Sequence, residues 1–202
     1  MSFVDTWQTF CRATDTAGPS PGIREQWHQG RRWYAVWLLR VDSPAVHARM
    51  ATVADALAPA VRPIPADQAH ITLFVSGFVA NVARHSDDVA EAVLSAQRTA
   101  LALSARSMRL TVGGSNSFTT AAFLEVHDPD GGIAAAREIL AGEADELRFG
   151  PYHPHVTCGV YRDTRPTAPL VVALTPFRDR PPIPLPPTAI ELAVVDAYVE
   201  GS

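Results

Sequence analysis

The chain contains no lysine: all 17 of its basic residues are arginine, set against 21 acids for a net charge of −4. A net-acidic surface argues against gripping long nucleic acid by broad phosphate neutralisation. It leaves room for a small anion held in a local arginine pocket. The absence of lysine is read as a reflection of genomic base composition rather than of phosphate recognition. Cysteine is scarce too. Cys11 and Cys158 alone cannot build a disulfide framework, and their rarity points to a reducing, cytoplasmic compartment. Long hydrophobic runs are missing: stretches such as 35–39 and 170–174 are far too short to span a bilayer. The opening residues carry Asp5 and no apolar core, so no secretory signal and no membrane partner are expected. With 47% hydrophobic and 19% charged residues, the 202-residue chain reads as a globular protein rather than a disordered one.

Strands and helices alternate along the sequence. A short helix is expected around residues 4–11, followed by the turn-prone Gly18-Pro19-Ser20-Pro21-Gly22. Aromatic and branched residues predict a strand over 33–41. Ser43-Pro44 reads as an N-cap with proline at the first helical position, and Val46, Met50, Val53 and Leu57 form one apolar stripe behind it. A strand over 71–79 and an alanine-rich helix from Ser86 to about Ser104 follow. Strand-like segments at 108–112 and 121–126 suggest a hairpin turning through Gly113-Gly114-Ser115-Asn116-Ser117. Past Asp130 comes a helix with Ile133, Ala136 and Leu140 on one side, then a strand at 155–161. Six prolines between Pro176 and Pro187 predict an extended connection before a last strand at 190–195. The class is α/β or α+β with a mixed sheet, with residues 1–30 as an N-terminal extension and 31–202 as one domain.

Two segments repeat a pattern 85 positions apart, His70-Ile71-Thr72-Leu73 and His155-Val156-Thr157-Cys158. Alternate side chains of a strand share a face, so each strand presents an imidazole and a hydroxyl about 7 Å apart, with apolar residues facing a core. Hydrolysis of a phosphodiester needs one group to take a proton from water and another to protonate the departing oxygen. Two histidines fill both roles near neutral pH, one starting neutral and one charged. Threonine hydroxyls can donate to the non-bridging phosphate oxygens. This scheme calls for no cofactor and no metal.

The repeated His-x-Thr pair resembles the two signature motifs of the two-histidine (2H) phosphoesterase superfamily, whose branches include 2',5' RNA ligase-like proteins and 2',3'-cyclic nucleotide phosphodiesterases. The order of elements from about Trp33 to Val195 is similar as well. The resemblance implies a bilobal α+β fold, two pseudo-symmetric lobes with antiparallel or mixed sheets around a central cleft lined by both motifs. It implies His70 as proton donor, His155 as general base, and Thr72 and Thr157 as phosphate ligands; sequence alone leaves the reverse assignment of acid and base open. The chain departs from the family pattern at Ala69 and Cys158, and the RNA ligase-like branch's arginine position holds Val160, with Arg162 two residues on. The expected activity is hydrolysis of a cyclic or 2'-linked nucleotide or RNA-end phosphodiester by a cytoplasmic monomer. RNA 2',5'-ligation and a nucleotide- or RNA-binding module without turnover are the alternatives.

Other residues have candidate roles. Phe74, Tyr152, Tyr161 and Phe118 could stack a nucleobase. Arg31, Arg32 and Arg40 flank the first strand and could meet phosphate. His153 shares a strand face with His155 on period-two spacing, but no third and fourth zinc ligand stands at a recognisable spacing. Cys158 is expected to point into the core and act as a small hydrophobe.

Overall fold

A computed structural model describes residues 2–19, 21–104, 108–147 and 150–198. In chain order the elements are α1 (Phe3–Arg12), α2 (Pro21–His28), β1 (Trp33–Arg40), α3 (Pro44–Ala56), β2 (Val61–Pro63), β3 (His70–Val79), β4 (Asp88–Val89), α4 (Glu91–Leu103), β5 (Thr111–Ser117), β6 (Ala121–His127), α5 (Gly132–Ala141), β7 (His155–Tyr161), α6 (Thr167–Leu174), β8 (Ile183–Pro184) and β9 (Ile190–Asp196). Among these residues the strands form two sheets, β4-β3-β1-β9 and β2-β7-β6-β5-β8. Every pairing is antiparallel except β3 with β4. The α+β, two-lobed expectation therefore holds.

The sheets are built on one plan and exchange parts. β3 in the first sheet and β7 in the second each pair along one side with a long strand (β1 or β6) and along the other with a short one (β4 or β2). β2 precedes β3 in sequence yet pairs with β7, and β9 ends the fold yet pairs with β1. Helix α3 packs on β2, β6 and β7, while α5 packs on β3. The stripe read from the sequence is the buried one: Val46, Met50, Val53 and Leu57 enter a core shared with Leu39, Ile71, Leu73, Leu124, Val156 and Cys158. Each such side chain contributes on the order of 1.5–3 kcal/mol of burial. The apolar faces of β3 and β7 thus look into one core.

Local structure departs from the sequence reading in several places, and β2 and α6 have no counterpart in it. Helix α4 starts at Glu91 rather than Ser86, because Asp88 and Val89 pair with β3 and the Asp88 carboxylate accepts from the backbone N–H groups of Arg84 and His85. Gly113 and Gly114 lie inside β5, not in a turn, and the chain reverses between Ser117 and Ala121. A Cβ on Gly114 would stand 1.7 Å from the Arg178 carbonyl oxygen, so glycine here allows the 177–178 backbone to lie against the strand. The proline-rich stretch includes a 3-10 turn at Thr175–Phe177 and the short β8. Of the turn expected at 18–22, Ser20 lies outside the described residues and Pro21 already opens α2.

Candidate active site

The two His-x-Thr strands share one burial pattern. In both β3 and β7 the first seven residues run half-buried, buried, half-buried, buried, buried, half-buried, buried. His70, Thr72, His155 and Thr157 are half-buried, as are Val75 and Val160, whereas Ile71, Leu73, Val156 and Cys158 are buried. The break in alternation has a structural cause. Trp37 pairs with Phe74 and Leu38 with Thr72, leaving Leu73 as an extra residue. Ala122 pairs with Gly159 and Phe123 with Thr157, leaving Cys158 extra. Each strand therefore bulges one residue past its threonine, a device that re-aims side chains and recurs beside active sites.

Both imidazoles are anchored alike. His70 Nδ1 lies 2.7 Å from the Gln68 carbonyl oxygen, and His155 Nδ1 lies 2.6 Å from that of His153. A carbonyl can only accept, so each Nδ1 carries the proton and the neutral ring leaves Nε2 as its basic nitrogen. The hydroxyls of Thr72 and Thr157 make no hydrogen bond to any described residue, which leaves both available to a ligand. β3 packs against β7, and the Tyr152 hydroxyl, three residues before His155, donates to the Thr72 carbonyl at 2.8 Å. The segment leading into β7 is thus tied to β3 beside Thr72.

Their surroundings differ. The His155 ring meets Phe118 edge-on at 5.2 Å and lies 5.1 Å from Phe123. Glu125 pairs across from His155 in β6, which puts both side chains on one sheet face. Its Oε1 accepts from Asn116 Nδ2 and from Arg178 Nη1, each at 2.7 Å. Sequence reasoning missed this Asn116–Glu125–Arg178 cluster. Its one visible signal is a glutamate inside the otherwise apolar run Ala121-Ala122-Phe123-Leu124-Glu125-Val126.

Several sequence candidates are placed elsewhere. Phe74 and Tyr161 are 1% and 0% exposed, so neither can stack a base. The bulge at Leu73 turns Phe74 inward, and Tyr161 stacks on Phe10 and bonds Ser117 through its hydroxyl. Burial pushes that phenol up to about 12. Tyr152 is half-buried, with the Arg137 guanidinium 3.7 Å from its ring centroid. Phe118 remains half-buried beside His155. Arg31 is gripped by Asp87 and Asp88, Arg32 by Asp196 and Arg40 by Glu191. The His153 ring turns to α1, its Nε2 3.4 Å from Thr6 Oγ1, and among the described residues no group of three or more His, Cys, Asp or Glu side chains is placed to hold a metal. Burial pushes the Cys158 thiol far up, consistent with a core role. A cavity of about 880 Å³ lies apart, between α4, α5 and the start of β9, lined by Trp37, Arg98, Met108, Glu138 and Ile190 among others.

The sequence profile of the 2'-5' RNA ligase superfamily matches residues 41–198, a span holding both motifs. The chain belongs to this superfamily. No curated protein matches it in sequence. Solved structures similar to this superfamily member include Escherichia coli LigT complexed with 3'-AMP, at 20% identity over 82% of this chain and 84% of that one, with a TM-score of 0.49. TT0787 of Thermus thermophilus is 18% identical over 81% and 84%, with a TM-score of 0.48. ATU0111 of Agrobacterium tumefaciens, whose function is unknown, is 15% identical over 82% and 86%, with a TM-score of 0.49. Among the described residues of this superfamily member, no helix is long and apolar enough to cross a membrane.

Proposed function

We propose that the protein is a cytoplasmic phosphodiesterase that hydrolyses a cyclic 2',3'- or 2'-linked nucleotide phosphodiester, with His70 and His155 as the acid–base pair. The observation that carries this reading is the matched anchoring of the two rings: each Nδ1–H is given to the carbonyl two residues earlier, so Nε2 is the basic nitrogen of each neutral ring. In a hydrolytic cycle Nε2 of one neutral imidazole takes a proton from water as the water oxygen bonds phosphorus. The bond from phosphorus to the 2'-oxygen breaks, and the Nε2–H of the other, charged imidazole protonates that oxygen. A phosphate monoester leaves, and solvent exchange restores both rings.

The family resemblance assigns His155 the base role, its ring beside Phe118 and Phe123. His70, whose Nε2 meets no described residue, is then the acid. Thr72 and Thr157 would donate to the non-bridging oxygens and hold phosphorus between the rings. The ligand is a small nucleotide or an RNA end, and the working unit a monomer.

The test is a substrate panel of 2',3'-cyclic nucleotides, 2',5'-oligoadenylate, ADP-ribose cyclic phosphate and RNA ends, run with EDTA and with His70→Ala and His155→Ala. Expected is monoester formation by the wild type, persisting in EDTA and lost in both variants. A wild type that turns over nothing on the panel, or variants that keep wild-type rates, would overturn the reading.

A further inference from the structure

The two bulges match in position but are held by different means. At Cys158 the carbonyl oxygen accepts from the backbone N–H of Ile64 at 2.9 Å, so the bulge of β7 is fixed by main chain. At Leu73 the carbonyl accepts from Arg137 Nη1, and the neighbouring Thr72 carbonyl accepts from Tyr152 Oη at 2.8 Å. The bulge of β3 is therefore fixed by side chains. Arg137 is itself immobilised, its guanidinium carbon 3.7 Å from the Tyr152 ring centroid and its nitrogens bonding both Glu146 oxygens, at 3.0 and 2.6 Å. Charge-assisted bonds at these half-buried positions leave the tyrosine little freedom to swing.

Tyr152 also occupies a particular place in the chain. The next residue, His153, supplies the carbonyl that anchors the His155 ring. Thr72, whose carbonyl Tyr152 holds, sits two residues from His70 on the same half-buried face. One residue thus joins the anchor of one imidazole to the strand that carries the other.

We propose that Tyr152, braced by Arg137, is a positioning residue that sets the approach of β3 to β7 and hence of His70 to His155. Its kinetic consequence rests on the function proposed above. Tyr152→Phe removes a single oxygen and keeps the ring under Arg137, so the fold is expected to survive. With a 2',3'-cyclic nucleotide, kcat should fall about tenfold with KM changed less than about twofold, because displaced general acids and bases lose rate without losing substrate contacts. Ring-proton NMR should show the His70 resonance shifted or broadened in the variant. Arg137→Met should do the same more strongly; should it fail to fold, Tyr152→Phe carries the test alone.

Wild-type kcat together with superimposable histidine resonances in Tyr152→Phe would overturn the proposal. A wild type inactive on every substrate would sink the proposed function instead. The histidine spectra would then still decide this inference, a changed His70 signal upholding it and an unchanged one ending it.

Discussion

Leu73 and Cys158 hold the same place in two different sheets: each is the unpaired residue one past the threonine of its strand. Before the bulge, alternation turns His and Thr away from the core; after it, the inward parity resets, so Phe74 and Gly159 are buried as well. The kinks are the structural counterpart of the sequence repeat and flank the groups proposed to do the chemistry.

The threonines are expected to act on binding more than on the proton transfers. Thr72→Val and Thr157→Val remove a donor each while keeping shape, and each should lower kcat/KM about tenfold, in keeping with the loss of one hydrogen bond to a charged group. Steady-state kinetics on the best substrate of the panel, with inorganic phosphate as competitive inhibitor, checks this. Unchanged kcat/KM and unchanged inhibition in both variants would exclude the hydroxyls from the site.

Paired imidazoles leave a signature in pH. One must be charged and the other uncharged, so kcat/KM should trace a bell between about pH 5 and 8, its limbs belonging to the pair rather than to either ring. A profile flat over that interval would count against acid–base use of two histidines.

Thiol chemistry separates the cysteines. Cys11 is exposed and Cys158 buried, and burial raises the Cys158 thiol far above its usual range. A disulfide reagent should therefore label one thiol per chain in the folded protein and two after denaturation. Rapid labelling of Cys158 in the native state would contradict its place in the core.

Acid stability follows from Asp88. Burial opposes its ionisation, but bonds from the Arg84 and His85 N–H groups and from the Arg31 guanidinium prevail and bring it down to about 2. An unfolded aspartate titrates near 4, so the folded chain binds this proton less readily. The resulting stabilisation, about 2 kcal/mol, is complete above about pH 4 and is lost as pH falls toward 2. Asp87, held low by its hydrogen bond to Arg31, adds in the same direction. Circular dichroism should show Arg31→Ala unfolding at higher pH than the wild type. Coincident acid-unfolding curves would remove this ion-pair cluster as a determinant.

Sequence alone disclosed what is local. Period-two alternation placed His70, Thr72, His155 and Thr157 on one kind of face, and helical periodicity picked out the stripe of α3 that is buried. The bulges were illegible because they exist only against a partner strand: nothing near Phe74 says that Leu38 and Trp37 will skip Leu73. Gly113-Gly114 looked like a turn because glycine marks turns and close backbone approach alike, and only the remote 177–178 segment decides between them. Tyr152 offered itself as a base-stacking ring, yet its contacts lie 15 residues away at Arg137 and 80 away at Thr72.

The exchange of β2 and β9 ties the molecule's two halves to each other's survival. Severed from the rest, the first half would keep a three-residue strand with no neighbour and a β1 stripped on one side, while the second would lose the edge that covers β7. A gene fragment encoding either half should yield insoluble product, whereas the two fragments produced together have every ladder they need to reassemble.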